Sequence, residues 1–451
     1  MYNKILDYLK GKDIAILGFG IEGKSTYSFI RRHLNIPLTI IDKNDVYEAN
    51  KELLENDDQI SYIIGEEYLR NLDKFDIVIK SPGVITKDID TEDINFSSQL
   101  ELFLKINKDN VIGITGTKGK STTTSLVYEV LRANGKDARL VGNIGKPIFD
   151  DIETYDQGTL LVVEMAALQL EFVTISPHIG VILNLYEDHL DHSGSVLKYH
   201  QNKLNMFKFQ SEKDYMIYFS DIEPLNNYIE EGNYKGRPYR IQLHNKNITT
   251  HTAYIYRDMV YFNQKEIFDV NTDVHLIGEH NLRNIMAALT IAEILELDIK
   301  KTVYAIKNFK PLEHRIELVG TYHDITYYND SIATIPNATI YAIKALKDVD
   351  TLIFGGMDRG IDYQAFIDYL NEGNVRNLIC MPTTGYKIAA KIKNRNVNKY
   401  EIQNLEEAVL KASEITEKGK ICLLSPAASS YEYFKNFEEK GSAYKNLVKN
   451  L

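Results

Sequence analysis

A glycine-rich turn between an apolar strand and a helix is the feature that most constrains how this chain can fold. Residues 111–115 read VIGIT, residues 116–122 read GTKGKST, and a helical pattern follows. The pattern stops at Gly135, as expected where a glycine ends a helix. The usual phosphate-loop spacing would require glycine in place of Ile114, so the sequence matches a variant of that loop.

This strand-turn-helix pattern predicts a phosphate-binding site. Backbone N–H groups of the turn and the helix dipole attract phosphate oxygens, and Lys120 adds a positive charge. Ser121 or Thr122 can reach a magnesium ion from the first helical turn. The competing interpretation is a tight packing turn with a chance lysine, but that leaves the run of hydroxyl residues unexplained.

A second glycine-rich turn occurs near the amino terminus. The apolar strand IAIL leads into GFGIEG at residues 18–23, and Asp42 lies at the end of the next strand. This spacing is that of a dinucleotide-binding turn. The residues alone leave three interpretations open, namely NAD, another diphosphate such as a nucleotide sugar, and a turn that serves packing only.

The order of apolar strands and helical patterns predicts an α/β fold with three domains. We expect a Rossmann-like domain at 1–106, a central phosphate-loop domain with a mostly parallel sheet at 107–310, and a second Rossmann-like domain at 311–451. Within the central domain, the two-residue alternation over 236–263 predicts a small antiparallel appendage. In the last domain, Pro336 and Pro426 are expected in the first turns of helices.

Further polar residues follow buried strands of the central domain. Glu164 ends the strand LLVVEM, and the acidic segment at 184–194 includes His189, so both could serve a hard cation. A solvated helix start is the alternative for that segment. Lys203 is by pattern only one lysine on a helix, and most such lysines face solvent.

Charge and cysteine content exclude several classes of protein. The net charge of −11 comes without a basic stripe, which argues against a nucleic-acid partner. Two cysteines are too few for a disulfide framework, and no segment reaches the roughly 18 apolar residues of a membrane span. The chain also begins without a signal-peptide pattern, so we expect a cytoplasmic protein that does not insert into membranes.

Taken in order, the motifs resemble those of the Mur ligase family over the whole chain. The ordered set is GTKGKST, GNIG, EMAALQLE, EDHLD, YHQNKL, GEHNLRN, HRIE, NDS, GGMDRG and SPAASSYEYFKNFEEKG. The resemblance implies an ATP-dependent, magnesium-dependent amide ligase of peptidoglycan precursor synthesis that forms an acyl phosphate. It also implies UDP-N-acetylmuramoyl-L-alanine and D-glutamate as substrates, and we expect a monomer.

The resemblance also assigns roles to individual residues. Residues implied to hold ATP are Gly116, Thr117, Lys118, Gly119, Lys120, Ser121, Thr122, Asn284, Arg315 and Asp330. Residues implied to hold two magnesium ions are Ser121, Glu164, His189 and Lys203, with Lys203 carbamylated, and Lys120 joins the last three as catalytic residues. Residues implied to contact the UDP substrate or the amino acid are Gly18, Gly20, Gly23, Asp42, Asn143, Gln169, Arg359, Ser430, Tyr431 and Phe437. The assignment of the first turn to uridine diphosphate favours a nucleotide sugar over NAD.

Two departures from the family pattern bear on the choice of amino acid. Ile332 stands where a lysine is expected after NDS, and Ala166 replaces a serine. Arg359 replaces another lysine and can pair bidentately with a carboxylate. The alternatives are a ligase that adds another amino acid, such as a folylpolyglutamate-type enzyme, and an NAD-dependent oxidoreductase. The first would lack the amino-terminal domain, and the second leaves GTKGKST unexplained.

Overall fold

The computed structural model describes most of the 451 residues. The described ranges are 2–86, 89–142, 146–186, 195–243, 252–262, 264–269, 276, 279–310, 312–358, 361–431 and 433–451. The chain forms two compact units, the first comprising Met1–Val274 with His280–Phe309 and the second His275–Glu279 with Lys310–Leu451. Among the described helices, none is long and apolar enough to cross a membrane.

The amino-terminal sheet of the first unit is parallel, in the order β3-β2-β1-β4-β5. Its strands are β1 Ile14–Leu17, β2 Leu38–Asp42, β3 Ile60–Ile64, β4 Ile77–Lys80 and β5 Phe96–Ser97. The accompanying helices are α1 Asn3–Leu9, α2 Ile21–His33, α3 Lys51–Leu54 and α4 Gln99–Asn107. All residues of β1 and β4 are buried, as expected for central strands of a parallel sheet covered on both faces.

The second sheet of this unit is mostly parallel and has the order β14-β13-β12-β11-β10-β9-β6-β8-β7. Its strands are β6 Val111–Thr115, β7 Ala138–Gly142, β8 Leu160–Glu164, β9 Ile179–Ile182, β10 Tyr215–Phe219, β11 Arg237–Gln242, β12 Thr252–Tyr256, β13 Met259–Phe262 and β14 Lys265–Asp269. Its helices are α5 Lys120–Ala133, α6 Val196–Lys208, α7 Glu223–Glu231, α8 Glu279–Ile294 and α9 Ile299–Asn308. The helix α5 is followed by Gly135 at φ 75°, which confirms the predicted glycine stop.

The antiparallel appendage begins later in the chain than predicted. The strands β12 and β13 do form an antiparallel hairpin, and Arg257 and Asp258 lie between them at positive φ. The strand β11, however, pairs in parallel with both β10 and β12, so the prediction was wrong for that segment. A two-residue alternation shows that one strand face is buried, but it does not encode the direction of the neighbouring strand.

The second unit contains a sheet in the order β15-β16-β20-β17-β18-β19, in which the β15–β16 pair is antiparallel and the other described pairs are parallel. Its strands are β15 Glu317–Tyr322, β16 Ile325–Asn329, β17 Val349–Phe354, β18 Asn377–Cys380, β19 Asn398–Glu401 and β20 Ile421–Leu424. Its helices are α10 Pro336–Leu346, α11 Gln364–Asn371, α12 Thr384–Ala389, α13 Leu405–Ile415 and α14 Phe437–Lys449. Two apolar clusters pack within this unit, one around Phe354 and Phe366 and the other around Tyr327 and Tyr444.

The two prolines of the second unit differ in their positions. Pro336 occupies the first turn of α10, as predicted. Pro426 instead lies in the loop after β20, and the next helix begins only at Phe437, so that prediction was wrong. Proline is compatible with a helix start, but its fixed φ suits a loop equally well.

Candidate active site

The glycine-rich turn after β6 has a backbone that requires glycine. Gly116 has φ 153° and Gly119 has φ 86°, and Gly119 immediately precedes the first residue of α5. A Cβ at Gly119 would lie 2.6 Å from the Asn284 Oδ1 atom. Because no described side chain caps this end of α5, its amino-terminal N–H groups remain directed toward the turn. The predicted strand-turn-helix arrangement is therefore confirmed.

Asn184, just beyond the end of β9, holds the middle of this turn. Its Oδ1 accepts from the Lys118 N–H at 2.8 Å, and its Nδ2 donates to the Lys118 carbonyl at 3.0 Å. The Thr117 N–H donates to the Asn184 carbonyl at 3.2 Å. Asn184 belongs to the acidic segment at 184–194, but no motif marks this residue in the sequence. Its signal was a polar residue at the end of a strand that is buried throughout.

Two lysines meet at one carbonyl oxygen of the turn. The Lys120 Nζ donates to the Gly116 carbonyl at 2.9 Å and to the Thr117 carbonyl at 3.1 Å. The Lys203 Nζ, from α6, donates to the same Gly116 carbonyl at 2.9 Å, and this side chain is only 1% exposed. Lys203 is thus no solvated surface lysine, and two positive charges lie beside the predicted phosphate site.

Glu164 ends β8 next to the turn. β8 pairs with β6 so that Glu164 lies opposite Ile114, and the Thr115 hydroxyl donates to the Met165 carbonyl at 2.7 Å. Glu164 is only 2% exposed. The adjacent ends of parallel strands therefore bring a buried carboxylate to the edge of the sheet that carries the glycine-rich turn.

Asn284 on α8 supports the start of α5. Its Oδ1 accepts from the Thr123 hydroxyl at 3.0 Å, and its Nδ2 donates to the Asn281 Oδ1 at 2.9 Å. With Gly119 in van der Waals range, this amide fixes the position of the turn relative to α8. The structure therefore brings Asn284, Glu164 and Lys203 together with the predicted phosphate loop.

The amino-terminal turn is equally tight. Gly18 has φ 86°, and a Cβ at Gly23 would lie 2.1 Å from the Gly18 carbonyl oxygen. The Asp42 Oδ2 accepts from the Phe19 N–H at 2.8 Å, so this carboxylate holds the turn against β2. At Gly20, by contrast, a Cβ would meet nothing within 4 Å. Of the three predicted glycines, Gly18 and Gly23 are thus required by packing.

A pocket of about 210 Å³ opens beside this turn, and Glu22, Gln169 and Gly142 are among its lining residues. The Gln169 Nε2 donates to the Glu22 Oε2 at 3.4 Å, and the Ala166 N–H donates to the Gln169 Oε1 at 2.9 Å. Burial raises the pKa of Glu22 to about 7, against the opposing effects of Gln169 and Lys80. Gln169 therefore links the first turn to the segment that follows Glu164.

In the second unit, Asp330 joins three of the predicted motifs. Its Oδ1 accepts from the Ile316 N–H at 3.2 Å, and its Oδ2 accepts from the Ser425 hydroxyl at 2.8 Å. The half-buried Arg315 precedes Ile316 in the same segment. The Ser331 hydroxyl donates to the Phe437 carbonyl at 2.9 Å, which adds the start of α14 to this group.

The loop before α14 carries two of the predicted site residues, one buried and one exposed. Ser430 is buried, and its carbonyl accepts from the Phe434 N–H at 3.1 Å. Tyr431 is 69% exposed. Three predicted site residues, Asn143, His189 and Arg359, lie outside the described residues.

Two family models match this chain. The Mur ligase middle domain matches residues 114–292, which include the glycine-rich turn, Glu164 and Lys203. The glutamate ligase domain of the Mur ligases matches residues 314–428.

Curated relatives are similar over the full length. A protein of Clostridium tetani named UDP-N-acetylmuramoylalanine–D-glutamate ligase is 30% identical over 465 residues, covering 100% of this chain and 99% of that protein. Proteins with the same name from Caldanaerobacter subterraneus and Clostridioides difficile are each 34% identical, covering 98% of this chain and 99% of each relative.

Solved structures share the fold at low identity. The MurF ligase of Thermotoga maritima in complex with ADP has a TM-score of 0.60 at 15% identity, covering 99% of this chain and 97% of that one. The UDP-N-acetylmuramate-alanine ligase MurC of Thermotoga maritima has a TM-score of 0.59 at 18% identity, covering 97% and 99%. At these identities the likeness concerns the fold alone.

Proposed function

The chain belongs to the Mur ligase family, and on that premise we propose that it joins D-glutamate to UDP-N-acetylmuramoyl-L-alanine at the expense of ATP. The reaction is a step of peptidoglycan precursor synthesis. The observation that carries the proposal is the full-length similarity to relatives that bear this name, combined with a phosphate loop flanked by buried Lys203 and Glu164.

The loop would hold the triphosphate of ATP. The N–H groups at the start of α5 point toward the phosphates, and Lys118 and Lys120 supply positive charge. On phosphate binding, Lys120 would exchange its bonds to the Gly116 and Thr117 carbonyls for bonds to phosphate oxygens. Asn284 in the first unit, and Arg315 and Asp330 in the second, are also proposed as ATP-binding residues.

The chemistry would proceed in two steps. A carboxylate oxygen of the substrate attacks the γ-phosphorus, the bond to the bridging oxygen breaks, and ADP leaves. The amine nitrogen of the amino acid then attacks the acyl carbon, a proton leaves the nitrogen, and the carbon–oxygen bond to phosphate breaks. Positive charge around the loop stabilises the negative charge that develops in both steps.

The oxygen donors near the loop suit magnesium, which prefers carboxylate and hydroxyl oxygens. Ser121 and Glu164 would hold the ions through oxygen atoms and His189 through a ring nitrogen, and Glu164 is a buried carboxylate at the sheet edge beside the loop. Magnesium, when bound, would neutralise phosphate charge. The Lys203 ammonium offers no lone pair, whereas a carbamate formed by its amine and carbon dioxide, with loss of a proton, would present oxygen donors. We therefore include carbamylation of Lys203 in the proposal.

The UDP substrate would occupy the pocket at the amino-terminal turn, with the turn glycines, Asp42, Asn143 and Gln169 as contacts. Gln169 supports this placement because it lies both in the pocket lining and beside the segment that follows Glu164. The substrate can then extend from the first turn toward the phosphate loop, since both belong to the same compact unit.

The incoming amino acid would be recognised by Arg359, Ser430, Tyr431 and Phe437. Ile332 removes one expected cation, and Arg359 would bind the side-chain carboxylate in its place. The proposal also includes the three-domain division at 1–106, 107–310 and 311–451, a cytoplasmic location and a monomeric state.

The test is phosphate release from ATP with UDP-N-acetylmuramoyl-L-alanine and a panel of D- and L-amino acids. We expect release with D-glutamate and a peptide product of matching mass. Lys120→Met should abolish release while the affinity for the UDP substrate stays within about threefold. Lys136→Met, an exposed lysine just past the end of α5, is the matched control and should retain turnover. Release with another amino acid but not with D-glutamate would refute the proposed specificity.

A further inference from the structure

A buried lysine that the proposed mechanism does not use lies at the end of β4. Lys80 is 4% exposed, and within the described residues its Nζ has no hydrogen-bond acceptor. Its nearest ion-pair partner is the Glu171 Oε2 at 3.6 Å, beyond hydrogen-bond range. Burying an ammonium group without hydrogen bonds costs stability, and two apolar residues would pack the same space at lower cost.

The position of Lys80 in the sheet is that of a ligand-binding residue. β1 continues to β2 and β3 on one side, and β4 pairs with β1 on the other, so the strand order reverses between β1 and β4. Lys80 lies opposite Leu17, the last residue of β1, and the glycine turn follows directly. Open α/β sheets bind ligands in the crevice at the carboxyl ends of the strands where the order reverses.

The surroundings of Lys80 favour an anion in this crevice. Lys80 interacts electrostatically with Glu171, Glu22 and Lys198, and its ammonium lies 5.7 Å from the Phe172 ring centroid. Glu171 is shared, because its Oε1 also lies 3.3 Å from the Lys198 Nζ. One carboxylate therefore lies between two lysines.

Glu22 does not cancel the remaining charge near neutral pH. Burial raises its pKa to about 7, so it is partly protonated there. It lines the pocket at the first turn of α2, and Ile21 beside it is exposed. An anion bound at this helix start would meet the N–H groups of α2 and the ammonium of Lys80.

We propose that Lys80 is an additional substrate-binding residue, whose ammonium pairs with the diphosphate of the UDP substrate at the end of β4. The inference rests on the proposed function and adds a cation to the diphosphate site. On substrate binding the ammonium exchanges its 3.6 Å contact with Glu171 for a charge-assisted hydrogen bond to phosphate.

The experiment measures the affinity of the full-length protein for UDP, for UDP-N-acetylmuramoyl-L-alanine and for ATP at pH 7. Lys80→Met should weaken binding of UDP and of the substrate by about 10- to 100-fold, the range for a hydrogen bond to a charged group. ATP affinity should not change, and Lys80→Arg should recover most of the loss. Lys10→Met removes a charge from an exposed surface pair and should leave all three affinities unchanged.

Glu171→Gln separates a binding role from a structural one. If Lys80 contacts the diphosphate, this variant frees the ammonium and UDP affinity is kept or improved. If the Lys80–Glu171 pair only holds the fold, the variant loses as much UDP affinity as Lys80→Met, and the inference is overturned.

The remaining outcomes are equally decisive. Unchanged UDP affinity in Lys80→Met overturns the inference and leaves the proposed function standing. Weaker binding of the substrate but not of UDP would assign Lys80 to the substrate's carboxylate, against the inference. Failure of the unmodified protein to bind the substrate would instead refute the proposed function itself.

Discussion

Replacing Gly119 with alanine tests whether the phosphate loop depends on its backbone geometry. Gly119 has φ 86°, and a Cβ there would lie 2.6 Å from Asn284 Oδ1. Alanine at this position is therefore disfavoured twice, because it must adopt a left-handed backbone conformation and because its Cβ would clash with Asn284. Gly135, at the other end of α5, has φ 75° but nothing within 4 Å of a Cβ. Gly135→Ala is thus a matched control with the same backbone strain and no clash.

The magnitude follows from the contacts that must break. The left-handed conformation costs an L-residue about 1–2 kcal/mol in both variants. In Gly119→Ala, Asn284 must also move, which breaks its bonds to Thr123 and Asn281. Each such bond contributes about 1 kcal/mol. Strain and the two lost bonds together amount to about 3–4 kcal/mol, which weakens ATP binding by about 150- to 900-fold.

The assay is the dissociation constant of magnesium ATP, measured by calorimetry on both variants and the unmodified protein. Gly135→Ala should bind ATP within about twofold of the unmodified protein, because its strain lies outside the loop. The affinity of Gly119→Ala for the UDP substrate checks that the rest of the unit is folded. Equal ATP affinities in the two variants would refute the steric argument.

Three further predictions concern single groups. Lys203→Ala should lose at least about a hundredfold in turnover and regain part of it with added formate or acetate, whereas Lys208→Ala on the same helix should keep full turnover. Turnover is measured as steady-state phosphate release, and failure of the added carboxylate to restore it would contradict the carbamate. Glu22 is neutral below its pKa of about 7 and negative above it, so the dissociation constant of the UDP substrate should rise between pH 6 and pH 8, by at most about tenfold per unit above the pKa. The Lys80 ammonium and the Gln169 amide also act on the Glu22 carboxyl, and Glu22→Gln should flatten the profile measured by calorimetry. Burial raises the pKa of Cys380 and Cys422 to about 12, so a thiol reagent such as Ellman's reagent should react with them at pH 8 only after unfolding, and rapid colour with the folded protein would contradict their burial.

Local features of the fold could be predicted because they depend on neighbouring residues. The strand before the phosphate loop, the helix after it and its stop at Gly135 all follow from apolar periodicity and glycine chemistry. The order of motifs also identified the family. The direction of strand pairing was predicted wrongly for β11. This strand lies parallel to its neighbours, although its two-residue alternation suggested an antiparallel appendage.

The same difference between local and long-range features applies to the candidate site. The family resemblance assigned Lys203 to the site, whereas the sequence around Lys203 by itself indicated an ordinary surface lysine. Asn184 received no role from either source, and Lys80 had no motif to mark it. The hydrogen bonds of Asn184 and the burial of Lys80 became visible only in the folded chain.

The sequence by itself determined where the turns must lie and which residues border them. The tertiary structure alone decided that Asn184 holds Lys118 across 66 residues and that Lys203 reaches Gly116 across 87. It also decided that Lys80 is buried where the strand order of the first sheet reverses. The physical reason is that turn geometry is set by backbone sterics within a few residues. Contacts between residues far apart in the sequence depend instead on how the strands are ordered and packed into a sheet.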